Sequence, residues 1–362
     1  MMGSLEVYCD QAYLPEGSKH IEMMYPFWGR PPAGDPDLEP DIFTRYIECG
    51  RNLFTLCSLD QAKIAVFPAE WRGVKDTQWL ALAHRLSDAA REAGKPLIVF
   101  SIVESALGPP LENAWVFRLS VYRSQRGGLE FVYPVWVDDY LARYADGRLP
   151  LRSWTRVPTL GFCGYAAPYY ARDRARSAAG RLLRSVGIRT RDPSSEDLLR
   201  GWQLRARVLR LLASKVTVKT NFLVRREWFN GVFEPEGIPD RTRWESSRRE
   251  FVENILQSDY VLCIRGTENF SHRLYETLCC GRIPVIVDTD YVLPFAEDPE
   301  WRRICVWIGE DQLDSLASRL LAFHQDLRPE QFVGLQRACR KWWEERLSPH
   351  GYFRHFYTHL MS

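Results

Sequence analysis

From Tyr260 to Val287 the chain reads as strand, polar loop, helix and strand with very short joints. Tyr260 to Ile264 is apolar, and Arg265-Gly-Thr-Glu-Asn-Phe270 is polar. Ser271 can cap a helix that runs to Cys280, Gly281 stops it, and Ile283-Pro-Val-Ile-Val287 is apolar again. A helix that joins two neighbouring strands makes them parallel and the crossover right-handed. An earlier stretch has the same form. Ile64 to Phe67 is an apolar run, and Asp76 can cap a helix with Trp79, Leu82, Ala83, Leu86, Ala90 and Ala93 at helical spacing. Gly94 and Pro96 end that helix, and Leu97 to Val103 follows as a second strand. Two such units in one chain predict an α/β protein with parallel strands, and 362 residues suit two domains.

The rest of the chain fits around them. Leu5-Glu-Val-Tyr-Cys9 reads as a first strand, and the stretch from Arg30 to Asp41, rich in proline and acids, as a surface loop. Trp115 to Tyr122 and Leu129 to Trp136 look like further strands. Arg148 to Pro158 is polar with two prolines, and the domain boundary is expected there. Thr159 to Cys163 opens the second half as a strand ending at Gly164. Two Arg-rich helices are expected over Tyr170 to Val186 and Ser194 to Ser214, with their charges on solvated faces. Val306 and Ile308 suggest another strand, Asp311 to Phe323 and Pro329 to Arg346 amphipathic helices, and an aromatic helix reaches Met361.

Lys plus Arg is 48 against 46 for Asp plus Glu, a net charge of +2, which argues against nucleic acid held by bulk charge. The nine cysteines include no CxxC pair, so neither a zinc ribbon nor a disulfide framework is expected, and free thiols suit a reducing compartment. No signal peptide is read at the N-terminus, and no apolar run is long enough for a membrane helix. A cytoplasmic protein, or one peripheral to a membrane, is expected.

The 265–276 stretch carries the chemistry. In open α/β sheets ligands bind beyond the carboxyl ends of the strands. A helix N-terminus adds free N–H groups and about half a unit of positive charge. Arg265 can hold phosphate oxygens through two bonds, and Gly266 lets the backbone come close. Ser271 and the following N–H groups face the same anion, and Arg273 adds charge. His272 could hydrogen-bond or protonate a leaving phosphate, or simply serve the local cap. Glu276 is a poor phosphate ligand but can accept from two hydroxyls, such as those of a ribose. A nucleoside diphosphate matches this set end to end.

The run from Ser258 to Phe295 resembles the exostosin glycosyltransferases. It holds Arg265-Gly266 after a strand, then Ser271-His-Arg-Leu-Tyr-Glu276, then Gly281-Arg-Ile-Pro-Val-Ile286, then Asp290-Tyr-Val-Leu-Pro-Phe295. Weaker echoes are Leu59-Asp-Gln-Ala-Lys-Ile-Ala-Val-Phe-Pro68 and Phe162-Cys-Gly164. The resemblance implies a GT-B chain of two Rossmann-like domains facing across a cleft. These would be an acceptor-side domain over 1–157, joined by a returning C-terminal helix over 342–362, and a nucleotide-sugar domain over 158–341. It implies inverting transfer, without cofactor or bound metal, from a nucleotide sugar, usually UDP-linked, to a glycan or polysaccharide. By the same resemblance Arg265 would hold the diphosphate with Ser271 assisting, and Glu276 would bind the ribose.

Asp288-Thr-Asp290 has the form of a metal-binding DxD, but in this context a turn or a sugar contact is the expected role. Asp290 and Tyr291 are therefore candidates for the donor site. His355 and His359, four apart, lack an acidic partner nearby and read as an ordinary pair. Inversion needs a base for the acceptor hydroxyl. Asp10, Glu70 and Glu104 each follow a predicted strand of the first domain and remain equal candidates. Trp71 and Trp79 could stack on sugars, though Trp79 fits a helix core better. Two alternatives stay open: a fucosyltransferase-like GT-B enzyme using GDP-fucose, and a glycan- or nucleotide-binding protein without catalysis.

Overall fold

A computed structural model describes residues 4–31, 42–73, 76–101, 108–166, 193–213, 215–226, 240–266 and 268–361. The chain forms two compact units. Unit 1 gathers Met1–Trp136, Tyr291–Glu297 and Glu344–Ser362, and unit 2 gathers Val137–Asp290 and Asp298–Trp343. No described helix is long and apolar enough to cross a membrane.

Unit 1 is built on six strands: β1 (Leu5–Tyr8), β2 (Phe54–Leu56), β3 (Ile64–Val66), β4 (Leu97–Ser101), β5 (Ala114–Arg118) and β6 (Glu130–Val132). They lie in the order β2-β1-β3-β4-β5-β6, and every pairing is parallel. Side chains alternate between the faces of a strand, and the core shows that period. Ile64, Val66, Ile98, Phe100 and Phe117 enter one apolar cluster, and Ala65, Phe67, Leu97, Val99 and Val116 enter the other. The helix Thr77–Glu92 fills the second cluster with Trp79, Ala83, Leu86 and Ala90. Asp76 caps it, accepting the Trp79 N–H at 2.9 Å. The first cluster is filled from far along the sequence, by Tyr352, Phe353, Phe356 and Leu360 of the helices Pro349–Arg354 and Phe356–Met361.

Unit 2 carries β7 (Thr159–Tyr165), β8 (Lys219–Arg225), β9 (Tyr260–Cys263), β10 (Ile283–Asp288) and β11 (Val306–Gly309). Their order is β11-β10-β9-β7-β8, again parallel throughout. The expected α/β class, with two parallel Rossmann-like sheets, is what the chain has.

The expected boundary at 157/158 differs from the one observed, which falls between Trp136 and Val137. Residues 137–158 are held by unit 2 through buried polar groups. Arg282, fully buried, donates Nη2 to Pro150 O at 2.7 Å and to Leu256 O at 2.8 Å. Burial lowers its pKa to about 10. Asp259 accepts Arg152 Nε at 2.5 Å and the Thr159 N–H at 2.7 Å. A polar, proline-bearing stretch looks like a linker by composition, yet here its polar atoms meet buried partners. The predicted helix over 170–186 lies outside the described residues, whereas Pro193–Ala213 is helical as expected. The helices Thr44–Leu53 and Arg241–Leu256 and the strands β2 and β8 were not anticipated.

Candidate functional site

Each sheet has one point where chain order reverses. In unit 2 it lies between β7 and β9, because β8 follows β7 on one side and β9 follows on the other. Loops leaving such adjacent strands diverge and open a crevice at their carboxyl ends. Gly164 at the end of β7, and Ile264, Arg265 and Gly266 after β9, stand at that point.

Three arginines stand there: the Arg205 and Arg273 guanidinium groups lie close enough to influence one another, while that of Arg265 turns to Asn269. Arg265 is 1% exposed, and its Nη1 donates to Asn269 Oδ1 at 3.2 Å. Thr289 Oγ1 donates to the same oxygen at 2.8 Å, tying the loop after β10 to the loop after β9. Arg205, from the helix Pro193–Ala213, donates to the carbonyls of Arg265 (3.1 Å), Ile264 (3.2 Å) and Tyr165 (3.4 Å). Burial, with the nearby Arg273 charge, lowers its pKa to about 9. Arg273 donates Nη2 to Cys163 O at 2.5 Å and lies over the Phe162 ring at 4.4 Å. Among the described residues neither Arg205 nor Arg273 forms an ion pair with a carboxylate within 4 Å. Repulsion between Arg205 and Arg273 is the cost of bringing those two together.

The helix His272–Cys279 starts beside them. Ser271 stands at its cap position with extended backbone (φ −130°, ψ 111°), but its hydroxyl makes no capping bond, contrary to expectation. Its buried Oγ and the buried Nε and Nη1 of Arg273 have no hydrogen-bond partner among the described residues. Buried polar atoms left so cost about 1–3 kcal/mol each, and more when charged. His272 retains solvent exposure, yet surrounding protein lowers its pKa by desolvation, Arg248, Arg205 and Arg273 acting in the same direction and Glu276 against it. It is therefore neutral near pH 7.

The glycine requirement falls elsewhere than expected. A Cβ on Gly266 would meet only Arg205 Nη2, at 3.4 Å. One on Gly201 would sit 1.7 Å from Gly266 O, so the close approach belongs to the helix that carries Arg205. Gly164 has φ +150°, and a Cβ there would lie 2.6 Å from Arg273 Nη2.

Glu276 lies about a turn further into the helix and is 9% exposed. Its Oε1 accepts from Tyr140 Oη at 2.9 Å and from Arg248 Nη1 at 3.3 Å. Asp290 lies beyond β10 with φ +68°, its N–H donating to Asp288 Oδ1 at 2.9 Å, so this Asp-Thr-Asp forms a turn. Tyr291 belongs to unit 1, is 5% exposed and bridges Tyr122 through its backbone. No group of three metal-ligating side chains occurs among the described residues. His355 Nδ1 meets Gly351 O at 2.9 Å, and the side chain of His359 lies outside the described residues.

Unit 1 reverses its chain order between β1 and β3. Asp10 and Glu70 follow those two strands. Asp10 is exposed and caps a short turn, accepting the Ala12 N–H at 2.9 Å. Glu70 is more enclosed, with a side chain 17% exposed and Arg72 Nη2 at 3.6 Å. Desolvation raises its pKa, with Arg72 opposing. Glu22, which the sequence did not single out, interacts with it, the Ile21 N–H donating to Pro68 O at 2.9 Å. Burial first, and then Glu70, raises Glu22 to about 7. Glu104 lies outside the described residues. Trp71 and Trp79 are each 1% exposed, with rings 4.6 Å apart, so both serve the core rather than a sugar.

Residues 226–323 match the Exostosin GT47 domain. Exostosin-2 of Bos taurus is 28% identical over 111 residues, 30% of this chain and 15% of that protein. A protein of Oryza sativa subsp. japonica named "Probable glucuronosyltransferase" is 36% identical over 77 residues, 21% of this chain and 19% of its own length. The chain thus spans less than a fifth of the length of these relatives. The crystal structure of Anabaena HepE in complex with UDP aligns over 99% of both chains at 10% identity. Its TM-score is 0.38, too low to bear on fold or ligand.

Proposed function

We propose that this chain, with its exostosin-family domain, is a glycosyltransferase that moves a sugar from a nucleotide donor to a glycan or polysaccharide acceptor with inversion. The observation that carries the reading is the placing of Arg205, Arg265 and Arg273 at the strand exits of β7 and β9, with the Arg205 and Arg273 charges side by side, next to a helix start. Such a group of cations is stabilised by an anion of more than one charge, and a diphosphate is one. Field and hydrogen bonds would stabilise the charge that develops on the departing diphosphate, which is how such a site accelerates transfer. The Ser271 hydroxyl and the Arg273 Nε and Nη1, without partners among the described residues, are the donors assigned to it. Neutral His272 can donate a further hydrogen bond. Glu276 is assigned the ribose hydroxyls. No metal is assigned a role.

The UDP identity of the donor is carried over from the exostosin resemblance. For the acceptor, Glu70 is the proposed base, because its raised pKa favours proton uptake more than an exposed acid would. Titration calorimetry with UDP, GDP and CMP tests the donor. Binding of UDP supports the reading, and binding of GDP alone replaces it with the GDP-fucose alternative. Nucleotide binding without hydrolysis or transfer of any nucleotide sugar makes the chain a binding protein.

A further inference from the structure

Glu276 is held in an uneven way. Tyr140 Oη donates to its Oε1 at 2.9 Å, and Arg248 Nη1 approaches the same atom at 3.3 Å. Arg248 Nη1 also donates to Tyr140 Oη at 2.7 Å, so the three side chains close a ring around one carboxylate oxygen. The other oxygen, Oε2, takes no hydrogen bond from a described residue, and it is not among the buried unpartnered atoms, so it touches solvent. Arg248 is fixed in turn, lying over the Trp244 ring at 4.5 Å. Tyr140 sits at the start of the helix Tyr140–Tyr144, with its ring 6.3 Å from Phe251. All these groups belong to unit 2.

We infer that Tyr140 and Arg248 are positioning residues, clamping Oε1 of Glu276 so that Oε2 is presented to the adjacent hydroxyls of a ribose. The inference rests on the nucleotide-sugar reading and deepens it. A carboxylate free to rotate would offer either oxygen at random and lose rotamer entropy on binding, whereas one pinned at Oε1 has its acceptor direction set beforehand. The phenol remains protonated to serve this purpose, since burial and the Glu276 charge raise the Tyr140 pKa well above its ordinary value.

The test compares UDP with 2′-deoxy-UDP and 3′-deoxy-UDP by titration calorimetry on the full chain. Hydrogen bonds to a charged acceptor predict that the parent binds UDP about tenfold more tightly than the deoxy analogues. Tyr140→Phe keeps the ring and removes only the hydroxyl. It is expected to close most of that gap by weakening UDP, with deoxy-UDP affinity little changed. Arg248→Lys, which keeps a cation, should preserve more of the gap than Arg248→Met. A role in packing alone would lower all three affinities together and leave the gap intact, which would overturn the inference, as would a parent protein that does not distinguish the analogues. A parent that binds UDP equally with and without the ribose hydroxyls leaves the anion cradle standing. A parent that binds no nucleoside diphosphate removes the donor reading, and the clamp with it.

Discussion

The two units share a strand plan and differ in what they place at its reversal point. Both sheets run parallel in the order 2-1-3-4-5, counted within each unit, with a sixth strand added in unit 1. At the reversal between β7 and β9 the chain sets Arg205, Arg265 and Arg273. At the one between β1 and β3 it sets Asp10 and Glu70, with Glu22 beside Glu70. The strand plan is the same twice, and the side chains make one reversal point cationic and the other acidic. Architecture therefore locates both candidate sites without specifying either chemistry.

If that division holds, substitutions in the two units separate turnover from donor binding. The largest effect is expected for Glu70→Gln. Turnover in a transfer assay should fall by about 10²–10⁴-fold, the usual range for a lost general base, with UDP affinity unchanged. A fall in UDP affinity would break the comparison. Next, Arg265→Ala should weaken UDP by about 100-fold in calorimetry, as expected for loss of a two-bonded guanidinium, while the folded chain keeps its circular dichroism. Glu22→Gln sharpens the proton side. The folded pKa of Glu22, about 7, lies above the unfolded value, so the fold is favoured while Glu22 is protonated. That contribution is complete below the unfolded pKa and is lost as pH rises through about 7. The variant should be more stable than the parent at pH 8, by about 1–3 kcal/mol in denaturant titrations, and no different at pH 4. The smallest effect belongs to Ser271→Ala. Without ligand its stability should match or slightly exceed the parent's, because a buried hydroxyl without a partner is removed, while UDP weakens by about threefold.

The sequence exposed the two sites unequally for physical reasons. Arg265 to Glu276 was legible because apolar strand, polar loop and capped helix follow one another within a few residues. Local spacing alone places those residues on one strand exit and the helix that follows it. Arg205 reaches the same loop from a helix some 60 residues earlier, and its helix reads as an ordinary charged face until Gly201 is seen against Gly266. Tyr140 and Arg248 were missed for a similar reason. Tyr140 lies in a short helix of five residues, and the helix Arg241–Leu256 hides Phe251, Val252 and Ile255 among many charges. In unit 1 Asp10 and Glu70 were visible as acids after strands, but only burial separates them. Glu22 sits in a short turn with no periodic pattern, where the backbone bond between Ile21 and Pro68 brings it beside Glu70. The Arg148 to Pro158 stretch misled because composition measures polarity and does not reveal buried partners such as Arg282 and Asp259.

Unit 1 borrows its innermost aromatic side chains from residues 344–362. Phe356 is fully buried, with its ring 5.1 Å from that of Phe117, and Tyr46 stacks on Phe353 at 4.4 Å. A ribosome that has just released Trp136 must add more than two hundred further residues before those rings exist, which takes about 10–40 s at ordinary elongation rates. Through that interval one apolar side of the nascent six-stranded sheet lacks its cover, while unit 2 can close around its own strands. The core of the half made first is thus completed only by the last residues made.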